Sequence, residues 1–496
     1  MIARALTAVA IGFDGQLVTV ECDMTKGLPA FNIVGLADKS VNEAKERVRA
    51  AITNSDFSFP AKRITINLAP ANLNKEGSHL DLPIAVAILT ASGQLSRDAL
   101  KKVLLAGELS LDGELRPIRG ALSLAECARK NGCETIILPA ENAAQAALLD
   151  NLNVVGATTL TDVILHLLSE KIIKATIRDV VKNTCSDISS IDDIRGQESA
   201  KRALVIAAAG HHNLLFTGSP GAGKTMLART LPGLLPPLTA DEIFETTKIY
   251  SLASETDDIV AARPFRSPHH TASFVALIGG GAKSKPGEIS LANHGVLFLD
   301  EIPEFPRSSL EALRQPLEDR VVSISRAAGK ATYPAHFMLV ATMNPCPCGY
   351  YGDEKRECTC TQQHIINYQR KLSGPLIDRI DMVIPVTRVP RDQLLEKTTA
   401  PPRAAKWQEQ IATARQTQIE RQKKPNSVLT NKQLEKFAAL GSEAKDLLSS
   451  AAERLNLSAR SYFKTLRVAR TIADLNNHTD VGVADIAEAL QYRGQS

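Results

Sequence analysis

Aromatic residues are scarce in this chain: they make up 4% of its 496 residues, with a single tryptophan, Trp407. Platforms that stack nucleobases on successive aromatic rings are therefore not expected. Charge of either sign is in little excess. Lys and Arg number 58 against 54 Asp and Glu, so a polyanion has to be met by a local basic patch and not by overall attraction. No apolar run approaches the roughly eighteen residues of a membrane span. The opening residues Met1-Ile2-Ala3-Arg4 lack the basic, apolar and small-residue segments of a secretory signal, so a cytoplasmic location is expected. Cysteines number eight, and in a reducing compartment they are not read as a disulfide framework. What remains, 44% hydrophobic and 23% charged, is ordinary globular composition, with length for roughly two to four domains.

Against that background one stretch stands out. Gly218-Ser219-Pro220-Gly221-Ala222-Gly223-Lys224-Thr225 fits G-x-x-x-x-G-K-[ST], preceded by the apolar Asn213–Thr217 and followed by a helical run from Met226. Strand, glycine-rich loop and helix form the context in which backbone N–H groups and a helix N-terminus cradle phosphates. Lys224 is then expected to reach the β- and γ-phosphates of ATP, and the Thr225 hydroxyl to ligate Mg²⁺. Downstream, Val296-Leu297-Phe298-Leu299 runs into Asp300-Glu301, a buried parallel strand delivering two carboxylates at its C-terminal edge. Asp300 is the candidate Mg²⁺ partner and Glu301 the candidate base that orients water. A third apolar strand, Phe337–Thr342, leads to Asn344, whose amide can reach a γ-phosphate. Together these motifs indicate hydrolysis and not binding alone.

Four cysteines follow at once, Cys346, Cys348, Cys358 and Cys360, spaced C-x-C-x9-C-x-C. Four thiolates in so short a stretch can close a tetrahedral Zn²⁺ site; free structural thiols are the alternative, and His364 is a further ligand candidate. Two other insertions carry basic residues. Arg263–Thr271 continues through a glycine run to Lys283 and Lys285, as suits a mobile loop contacting phosphates. Val321–Tyr333 reads as strand, basic turn and strand, a β-hairpin with Arg326 and Lys330 near its tip, for which a solvated turn is the alternative.

Residues 1–168 alternate short strands (Leu17–Cys22, Ile64–Leu68) with helices such as Val41–Ile52, an α/β pattern. Here Gly27–Leu36 and Asn74–Pro83 resemble the N-terminal domain of the YifB/ComM family, magnesium-chelatase-like AAA+ ATPases whose N-terminal domain looks like the proteolytic domain of Lon. The resemblance puts Asp81 near Lon's nucleophile position and leucines of Arg116–Leu124 where its lysines would lie. Ser78 and Ser123 are nearby without an activating base in the motif, so no protease activity is expected.

The resemblance implies an α/β fold in parts. A Lon-like domain spans 1–168 and a linker 169–191. A P-loop AAA+ core with a parallel sheet spans 192–391, including the cysteine loop 346–360, and an all-α lid spans 392–496. It implies that Asn344 acts as sensor 1. Arg379, in Leu372–Asp381, is the implied arginine finger, with an ion pair to Asp378 or Asp381 as the alternative. Arg467 is the implied lid sensor, flanked by Arg460 and Arg470. It further implies a homohexameric ring that hydrolyses ATP and drives single-stranded or branched DNA in natural transformation, with the hairpin entering the pore. A chelatase motor subunit and a protein-remodelling ATPase are the competing classes.

Overall fold

The structure, a computed structural model, describes residues 2–36, 38–75, 77–177, 189–256, 258–281, 285–326, 329–353, 355–372, 374–390 and 402–493. Two compact units emerge. The first gathers Met1–Lys182 with Thr239–Ala261 and Ser325–Thr332; the second holds Asn183–Leu238, Ala262–Ile324 and Tyr333–Ser496.

The first unit is built on a seven-stranded mixed sheet. Its strand order is Ala30–Val34, Arg63–Ala69, Asp14–Thr25, Ala3–Ile11, Val103–Leu105, Thr135–Pro139, Asn153–Ala157. Asp14–Thr25 alternates as a strand with one buried face must: Val18, Val20 and Cys22 are buried. Helix Lys39–Asn54 buries Val41, Ala44, Val48, Ala51 and Ile52, one stripe at helical spacing. Asp38 caps it, accepting from the Val41 amide at 2.8 Å. Helix Asp81–Ala91 has no polar face and is buried from Asp81 to Thr90. The segment from Val103 to Leu111 holds the two short strands Val103–Leu105 and Glu108–Leu109.

Helix Ala240–Ala253 also belongs to this unit, although it lies among the phosphate-loop motifs in sequence. Its Lys248 is fully buried, 2.5 Å from Glu126 and 3.8 Å above the Phe13 ring. An ion pair and a ring face offset the desolvation of that ammonium. Strands Val321–Arg326 and Gly329–Pro334 pair as the expected hairpin. Ala331 near its tip lies against Gly12, where φ is +59° and a Cβ would stand 2.7 Å from the Ala331 methyl.

The second unit carries a five-stranded all-parallel sheet in the order Phe265–Arg266, Val296–Leu299, Met338–Met343, Leu214–Thr217, Met382–Pro385. Strands buried on both faces read as continuous apolar runs, which is why Val296–Leu299 lacks alternation. Helix Glu198–Gly210 and the C-terminal helices Ala404–Gln422, Asn431–Phe437, Ser442–Arg454, Ala459–Leu475 and Val483–Gln491 join the same core. Ala459–Leu475 buries Leu466, Val468, Ala469, Ile472 and Ala473.

Candidate functional site

The strand Leu214–Thr217 ends at Gly218, and helix Lys224–Leu234 begins six residues later, so the phosphate loop is the turn between them. Gly221 and Gly223 adopt φ of +77° and +93°, conformations that side chains rarely reach, and these let the chain curl round on itself. Gly218 lies flush on the Val386 carbonyl, which leaves no room for a Cβ. Lys224 is mostly buried. Its ammonium donates to the carbonyls of Gly218 at 2.6 Å and Ser219 at 3.0 Å and to the Asn344 amide oxygen at 2.9 Å. Burial lowers its pKa, although Asp300 and Glu301 pull the other way. A buried cation with only neutral oxygens at hydrogen-bond distance suits an arriving anion.

The neighbouring strands supply the rest. Met338–Met343 lies between the phosphate-loop strand and Val296–Leu299, so Asn344 and Asp300-Glu301 emerge on the same edge. Thr225 Oγ1 donates to Asp300 Oδ2 at 3.2 Å, and Thr342 Oγ1 donates to Asp300 Oδ1 at 2.5 Å. The Glu301 amide donates to Thr342 Oγ1 at 2.9 Å, and the Asn344 amide nitrogen stands 3.4 Å from Glu301 Oε1. Glu301 itself is exposed and sits at φ +51°, turning its carboxylate out of the strand. Thr342 was invisible in the sequence as a site residue. Its one available signal was a hydroxyl on a fully buried strand, and a buried hydroxyl needs a partner. The Thr225 hydroxyl and Asp300 carboxylate, hard oxygen donors at a helix N-terminus, fit Mg²⁺.

Arg379 lies elsewhere. Asn213, just before the phosphate-loop strand, donates from its side chain to the Arg379 carbonyl at 3.0 Å and takes the Asp381 amide on its own carbonyl. Arg379 therefore stands at the N-terminal end of the strand whose C-terminal end carries Gly218, roughly 13 Å away for a strand of that length. Its guanidinium donates to the carbonyls of Pro375 and Arg314 and pairs with Glu318, so the partner is neither Asp378 nor Asp381. Asp381 is instead buried against Lys464, His212 and the Asn213 amide. Burial opposes its charge, yet these groups hold its carboxyl below the usual range. Burial brings the Lys464 ammonium down to about 8 against the pull of Asp381.

A cleft of about 550 Å³ opens here, lined by Glu318, Arg379, Arg460, Lys464 and Arg467 with no residue of the phosphate loop. Arg467 donates to the Leu429 carbonyl at 2.8 Å. Arg470, which flanks Arg467 on the same helix, is buried and bound to Asp474 at 2.7 Å. Arg460 is exposed, 3.7 Å from Glu318.

Two expectations for the first insertion change. Arg263 donates to the carbonyls of Pro236, Pro237 and His294, and Arg266 forms a two-point pair with Glu288 at 2.7 and 2.8 Å. Both are structural here because those acceptors surround them. Lys285 is exposed on a strand paired with Gly279–Gly280. Lys283 lies outside the described residues, as do the side chains of Arg326 and Lys330.

The four cysteines converge. Their sulfurs lie within 4.8 Å of one another, with Cys346–Cys348 at 3.3 Å and Cys358 at 3.6 Å from both. A tetrahedral Zn²⁺ with sulfurs at about 2.3 Å spaces them about 3.8 Å apart, so the cluster fits such an ion. The Tyr351 amide donates to Cys346 Sγ and the Cys348 amide to Cys360 Sγ. The Tyr350 amide leads the groups that bring the Cys348 thiol down to about 6. His364, exposed on helix Gln362–Gln369, is not part of the cluster.

In the first unit, the segment where the Lon resemblance falls is internally satisfied. Asp81 takes Arg47 at 2.7 and 3.0 Å, Ser78 donates to Glu108, His79 contacts the Ala8 carbonyl and Lys75 donates to the Pro70 carbonyl. Leu122 and Leu124 are buried, and the Ser123 hydroxyl donates to the Phe13 carbonyl. Among the described residues no helix is long and apolar enough to cross a membrane.

Comparison with known proteins agrees with this arrangement. Residues 190–394 match the family described as magnesium chelatase, subunit ChlI; residues 20–142 match subunit ChlI of Mg-chelatase, and 402–493 the C-terminal part of that subunit. Competence protein ComM of Haemophilus influenzae is 45% identical over 99% of this chain and 97% of its own length. YifB of Escherichia coli is 43% identical over 98% of this chain and 96% of its own. A Lon protease of Chloroflexus aurantiacus is 30% identical over 148 residues, 27% of this chain and 17% of that protein. Likeness to ComM and YifB along nearly the whole length, with the magnesium-chelatase matches in the same order, means that the chain belongs to the YifB/ComM family of magnesium-chelatase-like proteins.

Proposed function

We propose that this protein is an ATP-hydrolysing AAA+ motor that works as a ring and moves DNA. The observation that carries the reading is the convergence of Lys224, Thr225, Asp300, Glu301 and Asn344 on one edge of the parallel sheet. Lys224 would release its carbonyl contacts to bind the β- and γ-phosphates, and the loop amides would hold the remaining oxygens. Mg²⁺, held by Thr225 and Asp300, would neutralise charge on the phosphates. Thr342 keeps Asp300 fixed and holds the Glu301 amide, leaving the Glu301 carboxylate to orient and polarise water beside Asn344.

Hydrolysis by this edge alone would lack a cation on the transferring phosphoryl group's far side. Arg379 and Arg467 stand at the other end of the strand, in a cleft that holds no phosphate-loop residue, and this supports their acting on the nucleotide of a second copy. A closed ring, six subunits as in the family resemblance, satisfies every site at once. The Lon-like first unit would be a partner platform and not a peptidase, since its polar segment is occupied internally. ComM is named a competence protein, which supports DNA strand integration and branch migration as the work done. Lys283, Lys285, Arg326 and Lys330 are the proposed contacts to the DNA backbone. The four-cysteine cluster would hold zinc.

The test is ATP hydrolysis with and without single-stranded and forked DNA, beside Glu301→Gln. Hydrolysis stimulated by DNA and absent from the variant is the expected result. Hydrolysis indifferent to DNA would remove DNA as the substrate and turn attention to protein or porphyrin partners.

A further inference from the structure

The cysteine loop has little of its own to hold it. Among its described residues between 346 and 360 there is neither helix nor strand, and only Cys346 and Gly349 are buried. Yet it lies directly on the phosphate loop. Gly349, at φ +85°, sits flush on the Pro220 ring, where a Cβ would stand 2.6 Å from two ring carbons. The Asp353 carboxyl is held below its usual range, with the Ser219 side chain first among the causes. Arg388 completes the bracket. It stands 3.6 Å from Asp353, donates to the Pro220 carbonyl at 3.4 Å and lies over the Tyr350 ring. At its start, Cys346 is two residues from Asn344, which holds the Lys224 ammonium.

We propose that the four-cysteine site is a metal clasp for the phosphate loop, so that zinc in the cluster sets the nucleotide affinity of the ATP site. The inference rests on the ATPase reading above and adds to it a positioning role for Gly349 and Asp353. A loop without a core of its own takes its shape from the ion, because the ion replaces the missing apolar interior. With the ion bound, Gly349 and Asp353 are held against Pro220 and Ser219, and the phosphate loop is ordered before ATP arrives. Without it, ATP binding has to order both loops and is weaker by that cost.

The experiment uses the full-length protein. Zinc is counted by thiol titration with a mercurial and a chromophoric chelator, and cobalt substitution reads thiolate-to-metal charge transfer. A fluorescent ATP analogue then gives Kd for loaded, stripped and zinc-restored protein, with far-ultraviolet dichroism recorded for each. One zinc per chain is expected, with Kd about tenfold weaker after stripping and recovered on restoration. Asp353→Asn and Gly349→Ala leave the ligands intact; both are expected to keep one zinc yet bind the analogue about three- to tenfold more weakly. A chain that takes up neither zinc nor cobalt overturns the proposal. So does a Kd that stripping and both variants leave unchanged. Loaded protein that counts one zinc but binds no nucleotide would overturn the proposal through the ATPase reading, and the metal count would show which of the two had failed.

Discussion

Two polar segments in this molecule pair a lysine with a serine or threonine and a carboxylate, and they behave oppositely. In the first unit, Lys75, Ser78, His79 and Asp81 are each bound within the unit, to the Pro70 carbonyl, Glu108, the Ala8 carbonyl and Arg47. In the second unit, Lys224 holds only neutral oxygens, and Glu301 is turned out at the sheet edge. The first arrangement spends its polar groups on the fold. The second leaves charge to be completed by a ligand. Buried Lys248, held by Glu126 and the Phe13 ring, repeats the first pattern. Lys224 and Lys248 are both buried, and what separates them is their partners: a carboxylate and a ring face complete Lys248, whereas Lys224 holds neutral oxygens beside an exposed Glu301.

The largest effect should come from the open segment. Lys224→Ala is expected to lower kcat/KM for ATP by about a thousandfold or more, through loss of a cation on the phosphates, with the melting temperature little changed. Retained hydrolysis would erase the contrast. Arg379→Ala should lower kcat by about a thousandfold while a fluorescent ATP analogue still binds, the outcome expected under the proposal that this arginine serves a neighbour's nucleotide. Mixing Arg379→Ala with Glu301→Gln should restore part of the activity, since some interfaces then hold one intact acid and one intact arginine. Failure of the mixture to recover, when each variant assembles, would argue against action in trans.

The closed segment should answer in stability. Asp81→Ala leaves the Arg47 guanidinium without its two-point partner in a mostly buried place, and should cost about 3 kcal/mol by denaturant unfolding, with hydrolysis by folded protein retained. Thr342→Val sharpens the comparison from the other side. It removes the hydroxyl that bridges Asp300 and the Glu301 amide, and about a tenfold fall in kcat is expected, with a stability loss of about 1–2 kcal/mol. Smallest of all, Ser78→Ala should cost about 1 kcal/mol of stability and leave ATP hydrolysis as it was.

The phosphate loop, the acids after Val296–Leu299 and the four-cysteine spacing were legible in the chain because each is a contiguous pattern with its local element attached. Most secondary structure was legible for the same reason: Val41–Ile52 and Ile64–Leu68 carry periods of 3.6 and 2, which are local signals. The element that escaped was Ala240–Ala253, whose sequence position suggested one unit and whose contacts belong to the other. A pattern reader has no access to such a placement, because the partner of Lys248 is 122 residues away.

The sequence by itself determined the chemistry available here: which side chains can meet a phosphate, hold a magnesium or close on zinc. Tertiary structure alone decided how they are used. It put Thr342 beneath Asp300 and the Glu301 amide, separations of 42 and 41 residues. It set Gly349 on Pro220 and Asp353 beside Arg388, turned Arg379 and Arg467 into a cleft away from the chain's own phosphate loop, and bound Ser78, His79 and Asp81 to Glu108, Ala8 and Arg47. The physical reason is range. Periodicity and motif spacing report on neighbours a few residues apart, whereas a hydrogen bond or an ion pair depends on a distance of about 3 Å that only packing of remote segments can set.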